Sequence, residues 1–533
     1  MTTDEVENTP AHGVSRRFVL AAGAVGAAGV VVGGLVGGVM GRSSGATRST
    51  SATESVDVAI IGGGVAGAYV ADRLAADGRR QPVVFEASHR IGGRLWSQAV
   101  PPATGVMAEF GGMRIPPQHQ AVLQLAGELG LTTIPFPAST TQSLVRLRGT
   151  RLRRGEVERV DQFNYAMPAE IGALSPDELF SMINRSVGIT SETSLSGNQS
   201  GSWSETLTWR GRSIDELSTL QFLVELLGHD GAQFVRDWTA FEMWATSAST
   251  WLGVSNSTGG GSYAQVEGGF DQIPIQLIQR AQRAGAEVRL GEQLLSIERA
   301  EDGSVQLDVL SVDTGVTHRV RARAVVLALS APAMRHVVRS SSMLREAPAL
   351  TEALDQLVDS QAVKAYLSYD RPWWTDLGIE TGRSVSDSVL RQHFYLSSDR
   401  SRPALLLAGY AFGDVAADLL APLVPEASSD SSNELSAASR QGITSVLSEV
   451  HGIEVPQPIG AVAQRWSDSD DGTVPLWGPG DAPHRRMRAA ITPVSGVSLH
   501  VCGDALSLNQ GWVMGALETA SLVLQQGFGV DGI

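Results

Sequence analysis

Cysteine is almost absent from this chain. One residue, Cys502, among 533 excludes an intramolecular disulfide and any cysteine-built metal cage. The 10 histidines are scattered and not spaced as a ligand set, so no metal site is expected. Basic clusters are missing too: 41 lysines and arginines stand against 56 acids, a formal charge of −15. Such a surface does not attract nucleic acid, and the acidity serves solubility. A long weakly apolar run occurs near the start, from Phe18 to Met40. The rest has the composition of ordinary globular protein, 43% hydrophobic and 18% charged, with length for about two to four domains.

The apolar run follows Arg16 and Arg17 in "SRRFVLAAGAVGAAGVVVGGLVGGVMGR". With Ser15 and Val19-Leu20, this resembles a twin-arginine export signal. The run is long enough to span a bilayer, but its glycines make it a poor spanning helix. Export through the twin-arginine machinery, to the exterior or cell envelope, is therefore expected. An uncleaved segment would leave a membrane anchor. Because that route carries folded proteins, it reconciles export with the missing disulfides. "RSSGATRSTSATES" reads as a linker of small residues, so residues 1–50 stand outside the fold.

"SVDVAIIGGGVAGAYVADRLAADGRRQPVVFEASHRIGGR" comes next. Val56 to Ile61 suits a buried parallel strand, Val65 to Ala76 a helix, and "PVVFE" a second strand ending at Glu86. Between strand and helix, Gly62, Gly64 and Gly67 spell G-x-G-x-x-G. The first glycine permits a tight turn, the second a close approach to pyrophosphate, the third tight helix–strand packing. The helix N-terminus supplies amide donors for phosphates. Glu86, roughly 20 residues on, is placed to accept ribose hydroxyls. A dinucleotide site is expected. "RIGGRLWS" suggests which one: Gly92 and Gly93 would let backbone lie against the cofactor, and Arg94 would meet its pyrophosphate.

With "FEASHRIGGRLWS", "AEFGGMRIP" and "VCGDALSLNQGWVMGALETA" in order, the chain resembles the flavin amine oxidase family, closest to its L-amino-acid oxidases. "VEGGFDQIPIQLIQRAQRAGAEVRLGEQLLSIE" and "VVLALSAP" match in kind. The resemblance implies an α/β, Rossmann-like FAD-binding domain of the GR2 type, built from residues 51–120, 264–335 and 456–533. An α+β substrate-binding and helical domain would come from 121–263 and 336–455. It implies FAD contacts from Val65, Ala66, Ala87, Gly93, Gly112, Met113, Arg114, Leu294, Gly503, Asp504, Gly511, Trp512 and Val513, beside the glycines, Glu86 and Arg94. A helix beginning near Gly511, with Asn509 as candidate cap region, would point its N-terminus at the flavin. Monoamine oxidases carry their linking cysteine in a loop that aligns with "SDSDDGTVPLWGPGD", where Thr473 stands. The flavin is therefore expected to be bound non-covalently.

The resemblance also bears on substrate. Arg114 stands where L-amino-acid oxidases clamp the substrate carboxylate, and such a buried anion needs a fixed cation. A structural ion pair of Arg114 with Glu109 is the other reading. Tyr410 matches the family tyrosine that binds the same carboxylate, Lys364 the lysine that holds a water near the flavin, and Trp512 an aromatic facing the ring. The substrate amine would lie near the Gly511 carbonyl. The expected reaction is oxidative deamination of an L-amino acid, with oxygen as acceptor and a 2-oxo acid, ammonia and hydrogen peroxide as products. An amine or polyamine oxidase and a redox-neutral flavoprotein stay open, as does a homodimer. "VRDWTAFEMWATSASTWLG" is aromatic-rich and a candidate pocket wall; its Asp237 and Glu242 would suit a cationic substrate side chain or be solvated helix acids.

Overall fold

The computed structural model describes residues 54–190, 204–258, 262–424, 433–467 and 472–533. The chain falls into two units, Met1–Ser51 and Ala52–Ile533, and the described residues belong to the second. The expected export signal and most of the polar stretch after Thr190 lie outside them.

The first strand, β1 (Glu54–Ile61), is nearly continuous in buried apolar residues, as a strand covered on both faces must be. It leads through the glycine loop into α1 (Val65–Asp77), which ends on Gly78 in the left-handed conformation, φ 72°. β2 (Pro82–Glu86) follows and pairs parallel with β1. Strand Glu287–Leu290 adds parallel to β2, strand Val316–Leu327 to β1, and strand Ser498–Val501 to the C-terminal half of Val316–Leu327. The N-terminal half of that long strand carries an antiparallel hairpin, Glu292–Arg299 and Val305–Ser311. Segments from both ends of the chain thus form one mainly parallel sheet, with helices on both faces. On one face, buried Asp72 of α1 receives Arg280 Nε and Nη2 at 2.8 and 2.6 Å, tying α1 to helix Gln272–Arg283.

A second sheet has the strand order Gly460–Trp466, Ala362–Tyr369, Ala404–Phe412, Gln392–Tyr395, Gly382–Ser386, Leu144–Leu147, Thr150–Arg153. All its pairs are antiparallel except that of Gly382–Ser386 with Leu144–Leu147. Its two faces serve different cores. Tyr366, Leu407 and Phe394 pack in the cluster that includes helix Thr219–Thr239, while Val363, Leu406 and Tyr395 pack on the opposite side.

The sheets partition the chain differently from the sequence expectation. Gly460–Trp466, expected with the FAD-binding segments, is an edge of the second sheet. Helices Ala331–Ser340 and Pro348–Asp355 pack on the first sheet, although most of their residues were expected on the substrate side. Apolar periodicity shows that a segment is buried but does not say against which sheet.

Candidate functional site

The three motif glycines meet different steric demands. Gly62, at φ 107°, lies so close to strand Val316–Leu327 that a Cβ would stand 2.4 Å from the Ala328 carbonyl oxygen. At Gly67 a Cβ would come within 2.0 Å of the Gly62 oxygen, so the helix packs directly on the turn. Gly64 has open space beside it and lines a cavity of about 480 Å³, a size suited to a small-molecule site. Glu86, also on that cavity, accepts from Gly63 N at 2.7 Å and from Ser88 N at 2.9 Å. Its carboxylate therefore steadies the glycine loop itself.

"RIGGRLWS" docks on this loop. Gly92 N donates to the Gly63 oxygen at 3.0 Å, and a Cβ on Gly93 would lie 3.4 Å from Gly64 Cα. The second glycine pair then docks on the first: Gly112 N donates to the Arg94 oxygen at 3.3 Å. A Cβ on Gly111 would stand 1.5 Å from that oxygen. The two arginine-bearing segments are thus in backbone contact.

Arg94 lines the cavity, but its terminal nitrogens are engaged within the protein. Nη1 donates to Asp504 Oδ2 at 3.1 Å and to the Thr473 oxygen at 3.3 Å, while Nη2 pairs with Asp504 Oδ1. Asp504 also accepts from Gly511 N at 3.2 Å. Arg90, not singled out from sequence, lines the same cavity and donates to the Gly93 oxygen at 2.6 Å, its guanidinium 4.6 Å from the centre of the Trp96 ring.

The second sheet forms the far wall. Its register sets Lys364 directly opposite Tyr410, and both line the cavity. Lys364 Nζ donates to the carbonyls of Glu109 at 3.0 Å and Gly111 at 2.5 Å. Tyr366 Oη donates to the Glu109 oxygen at 2.7 Å, and Trp466 Nε1 to the Phe110 oxygen at 2.8 Å. Three side chains of one sheet face thereby hold the backbone that leads to Arg114. Burial pushes the Lys364 ammonium down to about 7, with Arg114 adding to the shift and Glu109 opposing it. Burial lifts the Glu109 carboxyl to about 7 against hydrogen bonds from Ser97 Oγ at 2.7 Å and Phe270 N at 2.9 Å.

Those bonds occupy Glu109, and the alternative Arg114–Glu109 pair is not formed. Among the described residues no carboxylate lies within ion-pair distance of Arg114. Its guanidinium rests 4.5 Å from the Tyr263 ring centre and 5.9 Å from that of Trp512. Helix Val513–Val523 begins at Trp512 without a side-chain cap, as α1 begins at Gly64. Asn509 is not its cap; the Asn509 Nδ2 donates to Glu518 at 3.2 Å. Two uncapped helix N-termini therefore open onto one cavity, one at the glycine loop and one beside Lys364 and Arg114. That is a fit for a dinucleotide carrying phosphates at one end and a ring that gains negative charge at the other.

Gly62, Gly64, Val65, Ala66, Ala87, Gly93, Gly112, Met113, Leu294, Gly503, Gly511 and Val513 also line this cavity. Gly67 stands behind it as a packing residue. From the aromatic stretch, Phe241 and Met243 reach the cavity, whereas Trp238 and Trp251 are spent in the core. Asp237 does not face it as a free anion: it accepts from Arg391 at 3.0 Å, Arg236 at 2.9 Å and Tyr165 Oη at 2.7 Å. Glu242 accepts from Ala416 N at 3.1 Å. Asp237 is claimed by two arginines, Glu242 is bonded to the backbone at Ala416, and neither is among the residues that line the cavity.

Comparison with known proteins agrees with this geometry. The family model for flavin-containing amine oxidoreductases matches residues 65–523. Aplysianin-A of Aplysia kurodai is 28% identical over 517 residues, covering 89% of this chain and 90% of that protein. An L-amino-acid oxidase of Mus musculus is 26% identical over 364 residues, 68% of this chain and 54% of its own length. A solved mutant of putrescine oxidase superposes with a TM-score of 0.66 at 20% identity, covering 90% of this chain and 99% of that one, which speaks to the fold alone. With this match spanning both sheets and the cavity between them, the chain belongs to the flavin-containing amine oxidoreductases.

Proposed function

We propose that this protein is an exported L-amino-acid oxidase that holds FAD without a covalent bond. The observation that carries the substrate reading is Arg114: a cation on the cavity wall, steadied by Tyr263 and Trp512, with no carboxylate partner among the described residues. Tyr410 stands on the same cavity, directly across the strands from Lys364. Together Arg114 and Tyr410 would bind the substrate α-carboxylate, the guanidinium by charge and the phenol by a hydrogen bond. The carboxylate then sets the Cα–H bond against one wall of the cavity.

Bound FAD would supply the two-electron acceptor for the hydride of the substrate Cα–H bond, as the amine lone pair closes the C=N bond, and would return those electrons to oxygen. The chain's own groups place and protonate. The glycine loop and the amides at the start of α1 would hold the phosphates, and the start of helix Val513–Val523 would face the ring. Lys364, held by two carbonyls, presents an ammonium near its titration point beside the cavity. It would position water and supply positive charge where oxygen is reduced. The substrate amine must be neutral to react, and Asp504 and Glu86 of the cavity wall are already engaged by Arg94 and by the glycine-loop amides. Non-covalent binding is supported by Cys502, which is buried outside the cavity lining with its thiol pushed up to about 12.

The deciding experiment compares peroxide formed from L-amino acids with that formed from the corresponding decarboxylated amines. Amino acids alone are expected to react. Arg114→Ala is expected to lose most of kcat/KM, about 100-fold or more, while keeping the yellow chromophore. Equal turnover of amines, or amines alone, overturns the reading.

A further inference from the structure

A second guanidinium stands near the first, on the same face of the second sheet. Arg383 lies opposite Phe394 in the antiparallel pair Gly382–Ser386 and Gln392–Tyr395. Directly opposed residues point to one face, and Phe394 packs on the face that also carries Tyr366 and Tyr410. Arg383 therefore projects to the side of the sheet on which the cavity opens. It is only partly exposed, and the Thr239 carbonyl it binds lies two residues before Phe241, which lines the cavity.

Its geometry is fixed. Nε donates to Gln392 Oε1 at 2.8 Å, and Nη2 is bound by the carbonyl of Thr239, at the C-terminal end of helix Thr219–Thr239. Both acceptors are neutral groups, and Nη1 has no partner among the described residues. The negative end of a helix offsets only part of a full charge. The cations around it make matters worse: Arg114 and Arg154 both act on Arg383, which burial and they together hold down to about 9. The nearby tyrosines, Tyr263 and Tyr410, supply hydroxyls and no ionised partner.

One substrate carboxylate neutralises Arg114. It leaves Arg383 part-buried, oriented and without a counterion among the described residues, an arrangement that a second anion would relieve. The cavity beside Tyr410 has apolar wall residues, Phe241 and Phe412, with Phe241 edge-on to Tyr410, ring centres 6.0 Å apart. Methylenes suit such walls, and an anion suits the guanidinium at their end. We propose that Arg383 is the specificity-determining cation of this site and that the preferred substrates are dicarboxylic L-amino acids. This rests on the L-amino-acid oxidase reading and names its substrate class.

The test is peroxide production by the full-length protein with L-glutamate, L-aspartate, L-glutamine, L-leucine and L-phenylalanine, read as kcat/KM. L-Glutamate or L-aspartate is expected to exceed L-glutamine, which matches L-glutamate in shape without its charge, by about tenfold or more. Arg383→Met is expected to collapse that ratio at least tenfold, and Arg383→Lys to restore part of it. A preference for L-glutamine or the apolar amino acids in the unmodified protein overturns the assignment, and needs no variant to fold. So does an Arg383→Met enzyme that loses activity on all substrates in equal proportion, since that marks a purely structural arginine. Failure of every amino acid together with turnover of an amine would instead refute the parent reading.

Discussion

Gly111→Ala is the sharpest single perturbation of this site, because what it would displace is backbone. The new methyl carbon would stand 1.5 Å from the Arg94 carbonyl oxygen, 2.7 Å from its carbonyl carbon and 3.5 Å from its Cα. Ordinary contact requires the two segments to part by roughly 2 Å. No rotamer relieves this, since neither atom belongs to a side chain. Parting them breaks the 3.3 Å bond from Gly112 N to the Arg94 oxygen. It also draws Arg94 off Asp504 on one side and moves Arg114 on the other. Overpacking commonly costs about 1–3 kcal/mol, and a backbone-on-backbone clash belongs at the upper end or beyond. The expected result is a melting temperature lower by about 3 °C or more, with reduced flavin content per mole of protein. Whatever holoenzyme remains should show a raised KM for its amino acid. Gly105→Ala is the matched control: it lies exposed in the neighbouring strand Ala103–Glu109 with nothing within 4 Å of its Cβ, and it should be neutral or slightly stabilising. The assays are the visible-to-ultraviolet absorbance ratio and a flavin-fluorescence melt. A Gly111→Ala protein with normal flavin content, normal melting and normal KM would refute the docking of the two glycine pairs.

Two further predictions test the electrostatics. Asp504→Asn leaves Arg94 part-buried without its anion and should cost more flavin retention on dialysis than Asp504→Asn combined with Arg94→Met; strictly additive losses would argue that the pair is not coupled. His393 and His451, buried with ring centres 5.7 Å apart, are held down to about 4 and about 3 by burial. The unfolded chain protonates both near 6.5, so it binds more protons than the folded protein below that pH, and stability falls as pH drops toward 4. Each histidine should cost roughly 3 kcal/mol or more by about pH 3. Glu109, lifted to about 7 by burial, acts in the opposite sense over the same range and offsets only part of this. Denaturant midpoints that stay level from pH 6.5 to pH 5, above the carboxylate range, would contradict the prediction.

What was legible in the sequence was local. β1, the glycine turn, α1 and β2 lie within one stretch whose periodicity and glycine spacing each carry a steric meaning, and they form with boundaries close to those expected. The function of Gly92 and Gly93 was legible only in part. Their need for bare backbone showed in the sequence, but what they approach is protein: a Cβ on Gly92 would stand 2.5 Å from the Leu95 oxygen, and Gly92 N and Gly93 lie against the first glycine loop. Pairings across hundreds of residues were not legible. Arg94 and Asp504 were each assigned to the cofactor separately, and the fold brings them together across 410 positions. The opposition of Lys364 and Tyr410 depends on strand register, which neither segment reveals alone.

The sign of the cavity shows why composition could not settle the substrate. Overall the chain carries a formal charge of −15, and two acids, Asp237 and Glu242, lie in the stretch that reaches the cavity wall. Charge in a buried site is set by what is left after pairing. Asp237 is consumed by Arg236 and Arg391, Asp504 by Arg94, and Glu109 is wrapped in hydrogen bonds. Arg114 and Arg383 are the guanidiniums near Tyr410 that find no such carboxylate among the described residues. An acidic protein thereby presents a cationic interior, and that residue of unpaired charge is the property a carboxylate-bearing substrate would read.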